Sequence, residues 1–504
     1  MHSFYFQDDW RVSPSLTLNL GLRYSNESPF NTKYGSMTNW DPAATDDVTG
    51  LKGAFIHTKS PLSKRDNNNL QPRIGMAWHP LQKWVIRGGF AVNTVDIKFP
   101  QAFGQFEEYT ASANLQSPPG NPTPVFRLSA GPPNIPYMIR PNGTSPYLGS
   151  NFGSRSADMW DPAMRNPYVL NYNLSVQYEL NPSYLLEVSY QGSAGIGLLE
   201  RWQLNTFPVN FATGDPALLS KVFAAPQNYR PYTNFGDVLM RSNFGHSTYN
   251  SGTIKLEKRY SRGLTFSTFY TYSKAIDSQD SDNAGTGVAP IQSRALEKAR
   301  AGYDRNHRYS AHASYELPIG KGRRFMNRGG ILNVLFGGYE ISWVQSLETG
   351  NPLTFSFANS PFNYYPTWVG SRRPNLNGKP EIRDGWRDVG PDRFVTNNEN
   401  AVISMDPFSY PAAFTPGNAG RNIVTGLPLV WSTSSAQKNF KITERFNLQL
   451  RLDYNNTLKT FNFDAPTTTV DYQNPKSFGK ISSDQRTASW GGMPLMDLTL
   501  KLSW

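Results

Sequence analysis

Residues 494–504 read P-L-M-D-L-T-L-K-L-S-W. Met496, Leu498, Leu500, Leu502 and Trp504 fall on one face of an extended chain, and Asp497, Thr499, Lys501 and Ser503 on the other. Successive side chains of a strand point to opposite faces, so this is a period-2 pattern. A soluble sheet would show it too, with the apolar face on a core. Two features point instead to a membrane. The stretch is about eleven residues long, the upper end of what a tilted strand needs to cross a bilayer. It also closes on an aromatic residue.

Working outward, the same alternation recurs along the chain. Leu16, Leu18, Leu20 and Leu22 alternate with Thr17, Asn19, Gly21 and Arg23, and Leu448, Leu450 and Leu452 alternate with Asn447, Gln449 and Arg451. Strands are expected at 4–12, 16–24, 72–79, 83–93, 170–178, 184–191, 248–260, 264–274, 307–317, 339–347, 430–440, 446–454 and the final stretch, thirteen in all. Their connections alternate short and long. The long ones, such as 25–71, 94–167 and 349–429, are dense in Asn, Gly and Pro and show no sustained period. A propeller or sandwich has no reason to keep every second connection long. Outer-membrane barrels have short periplasmic turns and longer extracellular loops.

Composition agrees. Charged residues are 17% of the 504 positions, below the roughly 25% of soluble domains, yet the mean hydropathy is −0.52. Uncharged polar residues, 41 Gly, 38 Pro and 13% aromatics fill the difference. A polar lumen with aromatic girdles requires that mixture. Disordered chains are poor in aromatics. The absence of cysteine excludes disulfides, thiolate metal sites and thiol catalysis. The formal charge of +11 is spread out, with no block of like charge that would mark a nucleic-acid arm. No apolar run approaches the roughly 18 residues of a transmembrane helix.

Thirteen strands make the first and last parallel, so they cannot close as an all-antiparallel barrel, and open edges in lipid leave backbone groups unpaired. Met1 also leads straight into a strand-like segment with no export signal. Both considerations lead us to expect that residues 1–504 are the C-terminal part of a longer barrel.

Several segments resemble the TonB-dependent outer-membrane transporters, specifically the large Oar-like group. They are F-Y-F-Q-D-D-W-R-V at Phe4, L-T-L-N-L-G-L-R-Y at Leu16, N-L-Q-P-R-I-G-M-A-W at Asn69, G-H-S-T-Y-N-S at Gly245 and L-E-K-R-Y at Leu256. Y-T-Y-S-K-A-I-D at Tyr270, D-R-N-H-R-Y at Asp304, G-N-A-G-R-N at Gly417 and the closing L-T-L-K-L-S-W complete the set. The resemblance implies a 22-stranded barrel filled by an N-terminal plug and energised through contact with the TonB complex. The plug, the TonB box and an N-terminal carboxypeptidase-regulatory-like domain have no counterpart in this sequence. The resemblance does not imply a ligand. It gives the ending Leu500, Leu502 and Trp504 the look of the signal read by the barrel-assembly machinery.

Catalytic, cofactor and metal sites are not expected. The six histidines are scattered, and His307 and His312 are spaced to lie on opposite faces of a strand. Asp8-Asp9, Asp46-Asp47 and Glu107-Glu108 are adjacent carboxylates, which diverge on a strand and read as solvated charge. Gly320-Lys321-Gly322-Arg323-Arg324 lacks phosphate-loop spacing and reads as a basic periplasmic turn. Gly88 and Gly89 read as a place where small residues admit a close neighbour. Trp40, Tyr364, Tyr365 and Trp368, with Tyr137 and Phe152, lie in expected outer loops. Aromatics there either form a platform for an extracellular ligand or serve loop packing. The expected role is an outer-membrane transport receptor of Gram-negative cells, not an enzyme. Asn171, Ser175, Gln177, Asn447, Gln449 and Arg451 would face its lumen. The alternatives are a structural or adhesive surface barrel and a secreted soluble β-enzyme acting on glycans.

Overall fold

A computed structural model describes residues 2–29, 37–46, 49–58, 63–95, 127–131, 157–207, 215–280, 291–358, 373–383, 402–412, 417–441, 445–460, 462–481 and 495–503. Thirteen strands follow one another as an antiparallel meander: β1 (His2–Ser13), β2 (Leu16–Asn26), β3 (Leu70–Leu81), β4 (Trp84–Thr94), β5 (Tyr168–Asn181), β6 (Tyr184–Gln203), β7 (Val238–Ser261), β8 (Leu264–Asp277), β9 (His307–Glu316), β10 (Tyr339–Glu348), β11 (Leu429–Lys441), β12 (Asn447–Asn455) and β13 (Leu495–Ser503). All thirteen strands expected from the sequence are present. Two short strands join the sheet from the side: Ala157–Trp160 runs parallel to β7, and Ala299–Arg300 pairs with β8. β1 and β13 lie at the two ends of the sheet, each with one neighbour.

Residues directly opposed in an antiparallel pair share a face, so one row can be followed across the sheet. Ile86, Val176, Val188, Ile254, Tyr270, Tyr309, Leu347 and Val430 are successive partners from β4 to β11. The adjacent row runs Arg87, Ser175, Ser189, Thr253, Thr271, Arg308 and Glu348. One face is therefore apolar and the other polar through the whole meander. The apolar face is bare: Val188 is 51% exposed, Ile254 54% and Leu500 67%. Among the described residues no second sheet covers those side chains. Near the short turns this face carries Trp10, Trp78, Trp84, Tyr178 and Tyr315, and near the long loops Tyr168, Tyr172, Tyr190 and Tyr272. Mainly aliphatic residues, with Tyr270 and Tyr309 among them, fill the belt between. Two aromatic girdles around an aliphatic belt suit a surface bathed in hydrocarbon. The Tyr172 ring lies where a Cβ on its partner Gly192 would have to be, so glycine is needed at that point of the girdle.

Four connections on one rim are two-residue turns: 14–15, 82–83, 182–183 and 262–263. The last has Arg262 at φ 54° and Gly263 at φ 81°, the type I′ geometry whose twist matches paired strands. A fifth, 442–446, links β11 to β12. The sixth, 317–338, is longer than a plain basic turn and contains a short helix. All the long connections leave the opposite rim.

Those long connections are more ordered than their lack of period suggests. Met37–Thr45 pairs with Lys52–Thr58 as a hairpin. α1 (Pro216–Ala224) starts at Asp215, whose carboxylate accepts from the N–H groups of Ala217 and Leu218 at 3.0 and 2.9 Å. β6 and β7 also continue well past 191 and before 248, the bounds expected from periodicity. In these extensions Glu200, Trp202, Gln203, Val238, Leu239 and Arg241 are all buried. Burial on both faces erases the polar/apolar alternation that marks a half-exposed strand. The hydrophobic clusters of the molecule lie in these loops and strand extensions, not between strands of the main sheet.

Candidate functional site: the polar wall and its folded cap

The polar face is a continuous hydrogen-bonding surface. Asn19 Nδ2 donates to Asp9 Oδ1 at 2.6 Å, Arg87 to Gln177 at 3.1 Å, and Gln177 to Glu187 at 3.0 Å. The Thr253 and Thr271 hydroxyls meet at 2.8 Å, and Gln449 donates to Gln437 and Asn439 at 3.3 and 3.1 Å. Asn171, Ser175, Gln177, Asn447, Gln449 and Arg451 all fall on this face by register. Across β2, β3 and β4 the wall dips. Gly75 faces Gly89, Gly21 faces Arg73, and a depression of about 330 Å³ opens among these glycines, Asn19, Arg73 and Asn173. Of the two adjacent glycines, Gly89 thus lines a hollow in the wall, while Gly88 faces Met76 and Leu174 on the apolar side.

Above the wall sit two folded lobes. In the first, Trp40 packs edge-on against Tyr232 at 4.7 Å and Phe235 at 5.7 Å, with Phe55 and Val238 around it. Asn205 fastens the loop beside it, donating to the carbonyls of Tyr232, Phe235 and Gly236 at 2.8–2.9 Å. Asn39 closes a reciprocal pair with the backbone of Trp160, both bonds at 2.9 Å. Burial pushes the Asp237 carboxyl above the usual carboxylate range, and its ion pair with Arg230 partly offsets that. In the second lobe Leu353, Phe355, Phe408, Val424, Val470 and Phe478 form a core drawn from the loops after β10 and β12.

An ionic junction ties the loop after β8 to the loop after β10. Arg421 reaches Asp277 through one nitrogen and Asp280 through another at 2.8 Å, and it donates to the Glu297 carbonyl at 3.4 Å. Arg373 binds the Glu297 carboxylate and donates to the Leu296 carbonyl at 3.0 Å. Arg300 holds Asp304 at 3.0 Å and Asn306 at 2.7 Å, and Asn422 donates to the Arg300 carbonyl at 2.7 Å. Burial works against the charge on Arg421, but the hydrogen bond and attraction from Asp277 outweigh it and hold the guanidinium above its ordinary pKa. Three of the segments quoted above, those at Tyr270, Asp304 and Gly417, converge here. Their spacing along the sequence carries no sign that they meet.

Of the aromatic residues singled out in the loops, Trp40 is fully buried. Its ring is packed against Tyr232 and Phe235. Tyr364, Tyr365, Trp368, Tyr137 and Phe152 lie outside the described residues, as does Trp504. Leu500 and Leu502 stand exposed on the apolar face of β13. His307 faces Tyr272 and His312 faces Ser267, so the two lie on opposite faces of β9. Among the described residues no group of three His, Asp or Glu side chains could hold a metal ion. No described helix is long and apolar enough to cross a membrane, which says nothing of crossing by strands.

A search of curated proteins gives no match to the chain. Among solved structures it is similar to the outer membrane transporter YddB from Escherichia coli, with TM-score 0.43 and 10% identity over 99% of this chain and 53% of that one. It is also similar to the FrpB iron transporter from Neisseria meningitidis, with TM-score 0.38 and 11% identity over 100% and 45%. A third is the ferric enterobactin receptor PfeA from Pseudomonas aeruginosa, with TM-score 0.43 and 9% identity over 99% and 44%. The chain thus spans about half the length of these proteins. A family profile described as an outer membrane beta barrel domain matches residues 1–489, which explains a sheet polar on one side and bare and apolar on the other: the chain belongs to the outer membrane β-barrel domain family.

Proposed function

We propose that residues 1–504 form the larger part of the wall of a TonB-dependent import receptor, whose outer loops take up an extracellular ligand and whose plug and TonB box are supplied by the rest of the protein. The observation that carries this reading is the width of the sheet. Thirteen strands already exceed the eight whose interior side chains fill, and barrels of about 22 strands enclose a lumen that must be plugged. β1 and β13 run parallel, and each leaves a row of backbone groups without a partner in the sheet. In lipid such edges cost several kcal/mol per group, which supports the reading that the wall of the complete protein is wider than these thirteen strands. The glycine-floored hollow and the polar wall provide a surface for a plug, and the segments resembling TonB-dependent transporters span nearly the whole chain.

Planar-bilayer recording tests the reading. The complete protein is expected to be closed, and a version lacking only the segment that fills the barrel to conduct through a wide aqueous pore. A barrel that conducts in neither form would favour the adhesive surface alternative.

The end of the chain carries a separate expectation. With Leu500 and Leu502 on the lipid side of an edge strand, deletion of Trp504 is expected to lower outer-membrane levels of the complete protein severalfold through impaired recognition by the barrel-assembly machinery. Unchanged levels would count against that role.

A further inference from the structure

The connection between β9 and β10 ends in α2 (Ile331–Phe336), sequence I-L-N-V-L-F. Ile331 is 78% exposed, and Leu332, Val334, Leu335 and Phe336 are each more than half exposed. Only Asn333 is polar, and its side chain is occupied in accepting the N–H of Lys321 at 2.7 Å. Such a helix has no stable place in water.

Its position answers what covers it. The carbonyls of Leu335 and Gly337 accept Lys438 Nζ at 3.2 and 2.6 Å, and Leu335 O also accepts the Tyr339 hydroxyl at 3.1 Å. Lys438 faces Tyr339 on one side and Leu450 on the other, and Leu450 faces Leu500. The C-terminal end of α2 is therefore fastened to the apolar, lipid-facing side of the sheet, at the short-turn rim. A lysine on that face would otherwise be stranded against hydrocarbon, and here it bends to the rim and meets backbone carbonyls. Lys258, also on the apolar face near a turn, does the same with the carbonyls of Ser261 and Leu264 at 2.9 and 2.8 Å.

Ahead of α2 the chain is basic. Residues 317–338 hold Lys321, Arg323, Arg324 and Arg328 and no carboxylate. Arg323 is paired with Glu316, while Lys321, Arg324 and Arg328 are exposed beside the exposed Phe325 and Met326. Exposed cations beside an apolar segment that continues the lipid-facing band match an anionic bilayer surface.

We infer that residues 321–336 are an interfacial hook, with α2 inserted at the acyl boundary of the periplasmic leaflet and Lys321, Arg324 and Arg328 engaging the phosphates of anionic phospholipid. The barrel is thereby pinned to that leaflet at the connection between β9 and β10.

Residues 1–504 contain no cysteine, so a single cysteine introduced here meets no competing thiol in this part of the protein, and any cysteine outside it is first replaced by serine before nitroxide labelling of the complete protein. In liposomes of phosphatidylethanolamine and phosphatidylglycerol, a label at Leu332→Cys is expected to collide with oxygen and be shielded from a water-soluble nickel chelate, as a label at the lipid-facing Leu500→Cys is. Access to the nickel chelate equal to that at the loop position Thr49→Cys would overturn the insertion. Shielding from both reagents would also overturn it, in favour of a contact with a second copy of the chain. For the headgroup half, the triple variant Lys321→Gln, Arg324→Gln, Arg328→Gln is expected to retain severalfold less phosphatidylglycerol on extraction into mild detergent, with phosphatidylethanolamine retention unaltered. Equal phosphatidylglycerol retention would remove the basic residues from the proposal.

Discussion

Replacing Arg421 with methionine is expected to open the outer cap while leaving the barrel inserted. The substitution keeps a long apolar stem and removes the charge that Asp277 and Asp280 share. Asp277 is 4% exposed and Glu297 8%, so water cannot take over from the lost guanidinium. Breaking a buried ion pair by removing one partner costs about 3–5 kcal/mol, because the other charge is left uncompensated. Here the loss falls on the joint between the loops after β8 and β10, while the strand registers below do not involve Arg421. A change of about 3 kcal/mol is roughly a hundredfold in a local opening equilibrium, and cleavage by added protease follows that equilibrium when reclosure is fast. The expected result on intact cells is cleavage within these loops one to two orders of magnitude faster, at unchanged outer-membrane level and heat-modifiability. Adding Asp277→Asn should recover part of the protection, since it removes the stranded carboxylate. Equal cleavage rates for Arg421→Met and the parent would show that the junction does not hold the cap.

The same junction shows how far the sequence could be read. D-R-N-H-R-Y and G-N-A-G-R-N were visible as motifs, but motif and partner are far apart: Arg421 and Asp277 are separated by 144 positions, and Asn39 meets Trp160 across 121. Neither contact leaves a local period. Gly417 follows the same logic, since a Cβ there would strike the carbonyls of Arg373 and Pro374. The strands were legible for the opposite reason. A membrane strand records both its environments in its own sequence, lipid on one side and a polar interior on the other, and it needs no distant partner to be recognised. Legibility ended where this condition ended. The upper parts of β6 and β7 leave the bilayer, are buried on both faces, and lose their alternation. α2 leaves no mark of its own in the basic connection because six residues are too few to show a helical period. Trp40 could be placed in a loop from sequence, but whether its ring met a ligand or Phe235 depended on a segment nearly two hundred positions away.

Ile254→Arg and Thr253→Arg test the orientation on which every other inference depends. The two residues are neighbours in β7 and differ only in the face they occupy. Ile254 lies between Val188 and Tyr270 in the apolar row, and Thr253 between Ser189 and Thr271 in the polar one. At about 3.3 Å per residue and a tilt near 45°, Ile254 stands roughly 16 Å above the strand end at Ser261, near the middle of the hydrocarbon. An arginine there has no rim within reach, unlike Lys258 and Lys438. The lipid-facing arginine is expected to cost about 2–4 kcal/mol, while the same residue on the lumen side is tolerated. Denaturant titration of the complete protein in lipid vesicles should therefore show a large loss for Ile254→Arg and a small one for Thr253→Arg, and outer-membrane levels in cells should follow the same order. Were the apolar row packed inside a soluble sandwich, arginine would be disruptive at Ile254 even in detergent-free buffer and the protein would stay soluble without lipid. Were the two faces reversed, Thr253→Arg would be the damaging change. Only a sheet with hydrocarbon on the Ile254 side gives a loss that is confined to that side and greatest at mid-strand, and that shrinks as arginine is moved along the same face toward either aromatic girdle.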